Sequence, residues 1–187
     1  DCKKYLDRAN NNLDDAIKLL RSEAGLKADK KGSRIAAEGI VNYYENDKHI
    51  LILELNSETD FVARDANFLS LADFISNKLL DNDETDVKKD LDNEITSTIS
   101  KLGENIKFRR FIKMEKKNSI YGYTHNNKIS SLVELKNPDD VLAKDICMQI
   151  VASNPLALDE SSLDSDILLS EKEIYKKELE KIDKKED

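Results

Sequence analysis

The stretch Asn56-Ser57-Glu58-Thr59-Asp60-Phe61-Val62-Ala63-Arg64 decides how this chain folds, because two periodicities meet in it. Before it, His49 to Leu55 reads as a strand. Its Ile50-Leu51-Ile52-Leu53 is apolar on both faces, the mark of a central strand covered by a helix. Behind it, Phe68, Leu71, Ala72, Ile75 and Leu79 recur at helical spacing and form a stripe that can lie on that sheet. Strand, corner and helix thus make one unit, and a side chain mounted at the corner is held rigidly from both sides. Phe61 is the large aromatic there, directly after two polar residues. It either folds back under the new helix as core or points outward as an anchor for a partner to bury.

Working towards the N-terminus, Ile35 to Tyr44 is a second strand, joined to the first across the turn-rich Glu45-Asn46-Asp47-Lys48. Lys27 to Gly32 reads as a short basic linker. Cys2, Tyr5, Leu6 and Ala9 share a helix face, which Asn10-Asn11-Asn12 interrupts. A second helix opens with Asp14 and Asp15 in its first turn, where carboxylates suit the helix dipole, and carries Leu13, Ala16, Ile17 and Leu20 on its apolar face. Gly25 is the C-cap expected for it.

Towards the C-terminus, Val87, Leu91, Ile95 and Ile99 at spacings of four predict a helix from about Thr85 to Lys101, with Gly103 as a left-handed cap. In the strand that follows, Ile106, Phe108, Ile112 and Met114 alternate with Lys107, Arg109, Phe111 and Lys113, which predicts one buried face. Ile120 to Tyr123 is read as pairing with it. Asn126-Asn127 then makes a hairpin turn, just after His125, towards Ile129 to Leu135. Asn137-Pro138-Asp139-Asp140 starts a helix, with Asn137 as its cap and Pro138 in the first position, that runs through Leu142, Ile146, Gln149 and Ile150 to Asn154-Pro155. A capping box, Ser170-Glu171-Lys172-Glu173, opens a charged helix whose Tyr175, Leu179 and Ile182 form a thin apolar seam.

Composition narrows the function classes. Of 187 residues, 39% are hydrophobic and 36% charged, with 5 Gly and 2 Pro, as in a helix-leaning globular chain with one core and a small accessory piece. A net charge of -8 disfavours direct nucleic-acid binding, which needs a basic face. No run of about 18 apolar residues exists that could span a membrane. Cys2 and Cys147 lie far apart on helix faces, which is the thiol usage of a reducing compartment rather than a disulfide framework. His49 and His125 are not at metal-ligand spacing from each other or from a cysteine, and there is no glycine-rich phosphate loop. The residues therefore suggest no enzyme, no metal and no cofactor. They leave a binding protein, with a helical adaptor as the alternative to anything more specific.

Thr59-Asp60-Phe61-Val62, with Ala63 and Arg64 behind it, resembles the signature of the translation elongation factor Ts family, the nucleotide exchange factors of elongation factor Tu. Further matching segments are Asp1-Cys2-Lys3-Lys4 with Leu6 and Ala16-Ile17, Leu102 to Ile106, Arg109-Arg110, and Tyr121-Gly122-Tyr123-Thr124-His125. The helix from Ala143 to Pro155 matches as well, with Gln149 where the family has histidine. The resemblance covers about residues 1 to 179. It implies an α+β fold of small antiparallel sheets packed against helices, preceded by a partial ubiquitin-associated-like helical segment and followed by a charged coiled-coil-like helix. The organisation it implies is a helical module over 1–26, a linker over 27–32, a first core subdomain over 33–123 with the Thr59 to Val62 motif, and the start of a second subdomain with the charged helix over 124–187. A first N-terminal helix and a C-terminal return of the chain are expected to lie outside these residues.

By the same resemblance the chain binds elongation factor Tu in its GDP and nucleotide-free forms and promotes GDP release, in a bacterial cytoplasm or an organellar matrix. Thr59, Asp60, Phe61 and Val62 are the implied contacts at the partner's Mg²⁺ site. Leu102, Gly103, His125 and Lys30 are the other implied contacts, and a dimer through the C-terminal helix is one reading of its seam.

Overall fold

A computed structural model of the chain describes residues 2–117 and 119–183, without the side chains at positions 21, 22, 24–30 and 180–183. It divides into two compact units, residues 1–151 and 152–187. The class is α+β, as expected.

In the first unit, helices α1 (Cys2–Arg8) and α2 (Leu13–Lys31) close on a small cluster of Tyr5, Ala9 and Ala16. Asn10 and Asn11 turn the chain between them at φ 51° and 64°, a conformation that asparagine tolerates, and the Asn12 carboxamide caps α2 through the Asp15 N–H. The expected cap at Gly25 is overturned: α2 continues to Lys31, so the segment expected as a linker over 27–32 is helical over most of its length. A glycine inside a helix costs about 1 kcal/mol relative to alanine, and that is too little to end one. Of the predicted apolar face, Ala16 is buried, while Leu13, Ile17 and Leu20 remain exposed.

Strands β1 (Glu38–Glu45), β2 (His49–Ser57) and β3 (Ile106–Glu115) form an antiparallel sheet in that order, with β2 in the centre. Between β2 and β3 the chain makes a one-turn helix α3 (Asp60–Ala63), then α4 (Ala66–Asp81) and α5 (Glu84–Leu102). Leu51, Leu53 and Leu55 of β2 meet Phe68, Leu71, Ala72, Ile75 and Leu79 of α4, and Val87, Leu91 and Ile99 of α5 complete this core. Gly103 ends α5 in the left-handed region at φ 82°, its N–H on Ile99 O, as the sequence predicts.

Strand β3 departs from strict alternation. Leu55 pairs with Phe108 but Glu54 with Arg110, so Arg109 is an extra residue, a β-bulge. One inserted residue sends every later side chain to the opposite face. Phe111 therefore packs with Phe108 against the core, while Ile112, expected inside, is exposed. The bulge also sets Arg109 and Arg110 side by side on Glu54, at 3.5 and 2.7 Å.

Strands β4 (Ser119–His125) and β5 (Ile129–Leu135) pair only with each other, as a separate two-stranded sheet, so the expected pairing of Ile120 to Tyr123 with β3 is not formed. Asn126 and Asn127 form the predicted turn, both at positive φ. The hairpin seats on the free edge of β1: Val41 N–H donates to Asn127 O at 2.9 Å, Tyr43 N–H to Thr124 Oγ1 at 3.2 Å, and the Ser130 hydroxyl to Val41 O at 3.0 Å. Covering an open strand edge in this way satisfies its backbone groups. The boundary expected at 123/124 falls inside β4.

Helix α6 (Asp140–Ser153) lies on the hairpin through buried Ala143 and Cys147. Its cap is Asp139, which accepts from Leu142 N–H at 2.9 Å, rather than Asn137. In the second unit, a 3-10 turn (Glu160–Ser162) precedes α7 (Ser165–Asp183). This helix begins before the expected box at Ser170, with Asp164 accepting from the Asp166 N–H. Tyr175 and Leu179 of its seam are exposed, and the Ile182 side chain lies outside the described residues.

Candidate functional site

At the corner between β2 and α4, Phe61 does not fold back as core. Its side chain is 81% exposed, whereas Phe68, one helix later, is 0% exposed. In the four-residue α3, Ala63 is buried and Val62 packs against the main core, so the turn is pinned from its inner side while Phe61 projects from its outer side. Beside it, Asp60 accepts from Arg64 Nη2 at 3.0 Å, an exposed pair spaced one helical turn. Such pairs contribute only a few tenths of a kcal/mol, so this carboxylate is readily released to another donor.

A helix of four residues cannot sustain itself, and neighbouring groups hold this one. Thr59 caps it, with Oγ1 accepting from Val62 N–H at 3.4 Å, and the Ser57 hydroxyl donates to Thr59 O at 2.9 Å. Across from it lies the segment from α5 into β3. Glu104 there accepts from Thr59 N–H at 3.0 Å and from the Thr59 hydroxyl at 2.8 Å. Glu58 in turn accepts from Asn105 N–H at 2.6 Å and lies 3.5 Å from the Arg34 guanidinium, while Asn105 Nδ2 donates to Arg34 O at 2.8 Å. Three segments remote in sequence are thus knit into one surface.

That surface collects six of the eight candidate residues. Thr59, Asp60, Phe61 and Val62 lie on the corner, and Leu102 and Gly103 immediately precede Glu104. Leu102 and Val62 face inward against the core, so their part is to support the surface. Gly103 is exposed, and a β-carbon there would meet only Lys31 Nζ, at 3.9 Å. The Lys30 side chain lies outside the described residues. His125 stands apart at the hairpin tip, exposed, its Nδ1 3.1 Å from the Tyr123 hydroxyl and its Nε2 3.1 Å from the Asn126 amide. The hairpin approaches the corner through β1: Lys128 binds Glu38 and the Gly39 carbonyl, and Glu38 pairs with Ser57.

Glu58, Glu104, Asn105 and Arg34 were not singled out from the sequence. Glu58 lies in the opening stretch, and Glu104 and Asn105 in the Leu102 to Ile106 segment, but their pairing spans more than 40 residues of chain. Among the described residues, no group of three or more His, Cys, Asp or Glu is placed to hold a metal ion. No helix among them is long and apolar enough to cross a membrane.

Residues 58–187 match the family model described as Elongation factor TS. Among curated proteins, the chain is 44% identical over 183 residues to an elongation factor Ts of Marinobacter nauticus, covering 94% of this chain and 63% of that protein. It is 44% identical over 195 residues to one of Clostridium acetobutylicum, covering 94% of this chain and 64% of the relative. A third, of Xanthomonas campestris pv. campestris, is 38% identical over 196 residues, covering 100% of this chain and 66% of the relative. The chain therefore spans a little under two thirds of the length of these relatives.

Proposed function

The chain belongs to the elongation factor Ts family, and on that premise we propose that it takes part in translation elongation as the nucleotide exchange factor of elongation factor Tu. It binds the GDP form of that partner, promotes GDP release and remains on the nucleotide-free form. The observation that carries this reading is Phe61, an 81% exposed aromatic on a turn fixed at both ends. A large exposed aromatic is a poor surface residue and a good anchor, because burying it in a partner contributes far more than any polar neighbour.

Exchange needs no bond making. A factor that binds the empty form more tightly than the GDP form must weaken GDP binding by the same ratio. Phe61, entering near the site where the partner holds Mg²⁺ and phosphates, supplies that difference by displacing the elements that grip them. Burying its ring is worth about 4 kcal/mol, from ~25 cal/mol per Å² over roughly 170 Å², or close to a thousandfold in nucleotide affinity. Asp60, freed from Arg64, offers an acceptor to the partner's backbone beside the ring. Thr59 and Val62 set the pose of this pair, Leu102 supports the surface from the core side, Gly103 widens the contact, and His125 and Lys30 extend it to the hairpin and to α2.

The test is the rate of release of labelled GDP from elongation factor Tu with the chain or its Phe61→Ala variant. Stimulation by the parent that falls by about two orders of magnitude in the variant is expected. A variant as active as the parent would place the exchange chemistry elsewhere.

A further inference from the structure

The corner that carries Phe61 is held by a reciprocal exchange of carboxylates. Glu58, from the corner, accepts from the backbone N–H of Asn105, and Glu104, from the opposite segment, accepts from the backbone N–H of Thr59. Glu104 also accepts a hydrogen bond from the Thr59 hydroxyl, so it grips the residue that caps α3 at two points, 3.0 and 2.8 Å. The inner side of the turn is anchored by Val62 and Ala63 in the core. Its N-terminal end, where Phe61 emerges, is held by hydrogen bonds: Ser57 fixes the Thr59 carbonyl, and Glu104 fixes the Thr59 N–H and hydroxyl.

We infer that Glu104 is a positioning residue for the Phe61 anchor, acting through Thr59 rather than by touching the partner. This rests on the exchange reading above and deepens it. An anchor that must be ordered on docking gives up part of its binding energy to that ordering, and one already fixed does not. Charged hydrogen bonds to a backbone N–H and a hydroxyl are the strong kind, and two of them from one carboxylate define both the position and the rotation of the cap. Thr59 is only partly buried. Water can therefore replace Glu104 when it is removed, and the domain keeps its core while the turn frays.

The experiment is a saturation series of GDP release from elongation factor Tu against concentration of the full chain. It compares the parent, Glu104→Ala, Glu104→Gln, Phe61→Ala and the double variant Glu104→Ala/Phe61→Ala, with thermal unfolding of each. Glu104→Ala is expected to lower the maximal stimulation about tenfold while the domain still unfolds in one cooperative, somewhat lowered transition, and Glu104→Gln, which keeps an acceptor on the Thr59 N–H, to recover most of the stimulation. In the Phe61→Ala background, Glu104→Ala is expected to cost nothing further, because a positioning residue has nothing left to position. A full tenfold loss in that background, or no loss in the single variant, overturns the inference. If Glu104→Ala fails to fold, Glu104→Asp, one methylene too short to hold both donors, is read in the same cycle. A parent that does not accelerate release at all is a failure of the exchange reading itself, visible before any variant is compared.

Discussion

Phe61 and Phe68 lie seven residues apart and have opposite fates, which makes them a controlled pair. Phe68, on α4 in the core it shares with β2, is 0% exposed, and truncating such a side chain costs about 3–5 kcal/mol through lost burial and the cavity left behind. That is a large part of the roughly 5–15 kcal/mol that holds a domain together. Phe61 at 81% exposure has little burial to lose, and an exposed substitution away from special features stays within about 0.5 kcal/mol. Urea unfolding of the two alanine variants should thus show Phe68→Ala shifted strongly to lower denaturant and Phe61→Ala nearly superimposed on the parent. A strongly destabilised Phe61→Ala would mean that the ring folds inward in solution. Sequence periodicity placed Phe68 in the core but left Phe61 open, because a residue on a one-turn corner belongs to neither the twofold nor the 3.6-fold pattern. The side-chain partners of that corner, Glu104 and Asn105, had no local sign at all, since the contacts that define them are made by a distant segment.

At the level of elements, the boundaries that were legible are those written in local chemistry. The left-handed cap at Gly103 and the asparagine turn at 126–127 needed no tertiary information. The β3 bulge did, because a bulge is defined by its partner strand, and alternation counted through Arg109 put Ile112 inside and Phe111 outside. Continuation of α2 past Gly25 and the start of α7 before Ser170 show the same limit: a capping residue type permits an end without requiring one. The cap of α4 offers a direct test of such chemistry. Asp65 accepts from the Asn67 side chain and backbone N–H, and these bonds hold its carboxyl below the usual carboxylate range. A group whose folded-state value is depressed contributes stability that is present above its unfolded-state value and lost as pH falls through the folded one. The parent should therefore melt higher than Asp65→Asn at pH 7, and the gap should narrow as pH falls below the ordinary carboxylate range and close once the carboxylate protonates in the folded state. Melting curves of both proteins at neutral and acid pH check this, and a gap that stays constant with pH would exclude a role for the charge.

At the level of the whole molecule, the main sheet with α4 and α5 has a deep core, whereas the hairpin and α6 share a thin one. Ile120, Ser131, Ala143 and Cys147 are buried there, yet Val141, Leu142 and Met148 on α6 are exposed. What ties this piece to the rest is the edge of β1, through Val41 and Tyr43. Local opening of such a piece costs less than global unfolding, and the chain carries its own probe for it. Cys147 is buried, with its thiol donating to Tyr121 O at 3.6 Å, and burial pushes its pKa up; Cys2 is exposed. The reactive species is the thiolate and must be reached by the reagent, so at pH 8 a thiol-specific dye should label Cys2 at once and Cys147 only as often as α6 lifts from the hairpin. If labelling of Cys147 tracks global unfolding across a denaturant series, the hairpin and α6 form one cooperative body with the main sheet. If it runs ahead at low denaturant, they open alone, and the His125 end of the proposed contact surface is more loosely set than the Phe61 end. Equal labelling of both cysteines in the native protein would contradict the packing of α6 on the β4–β5 hairpin.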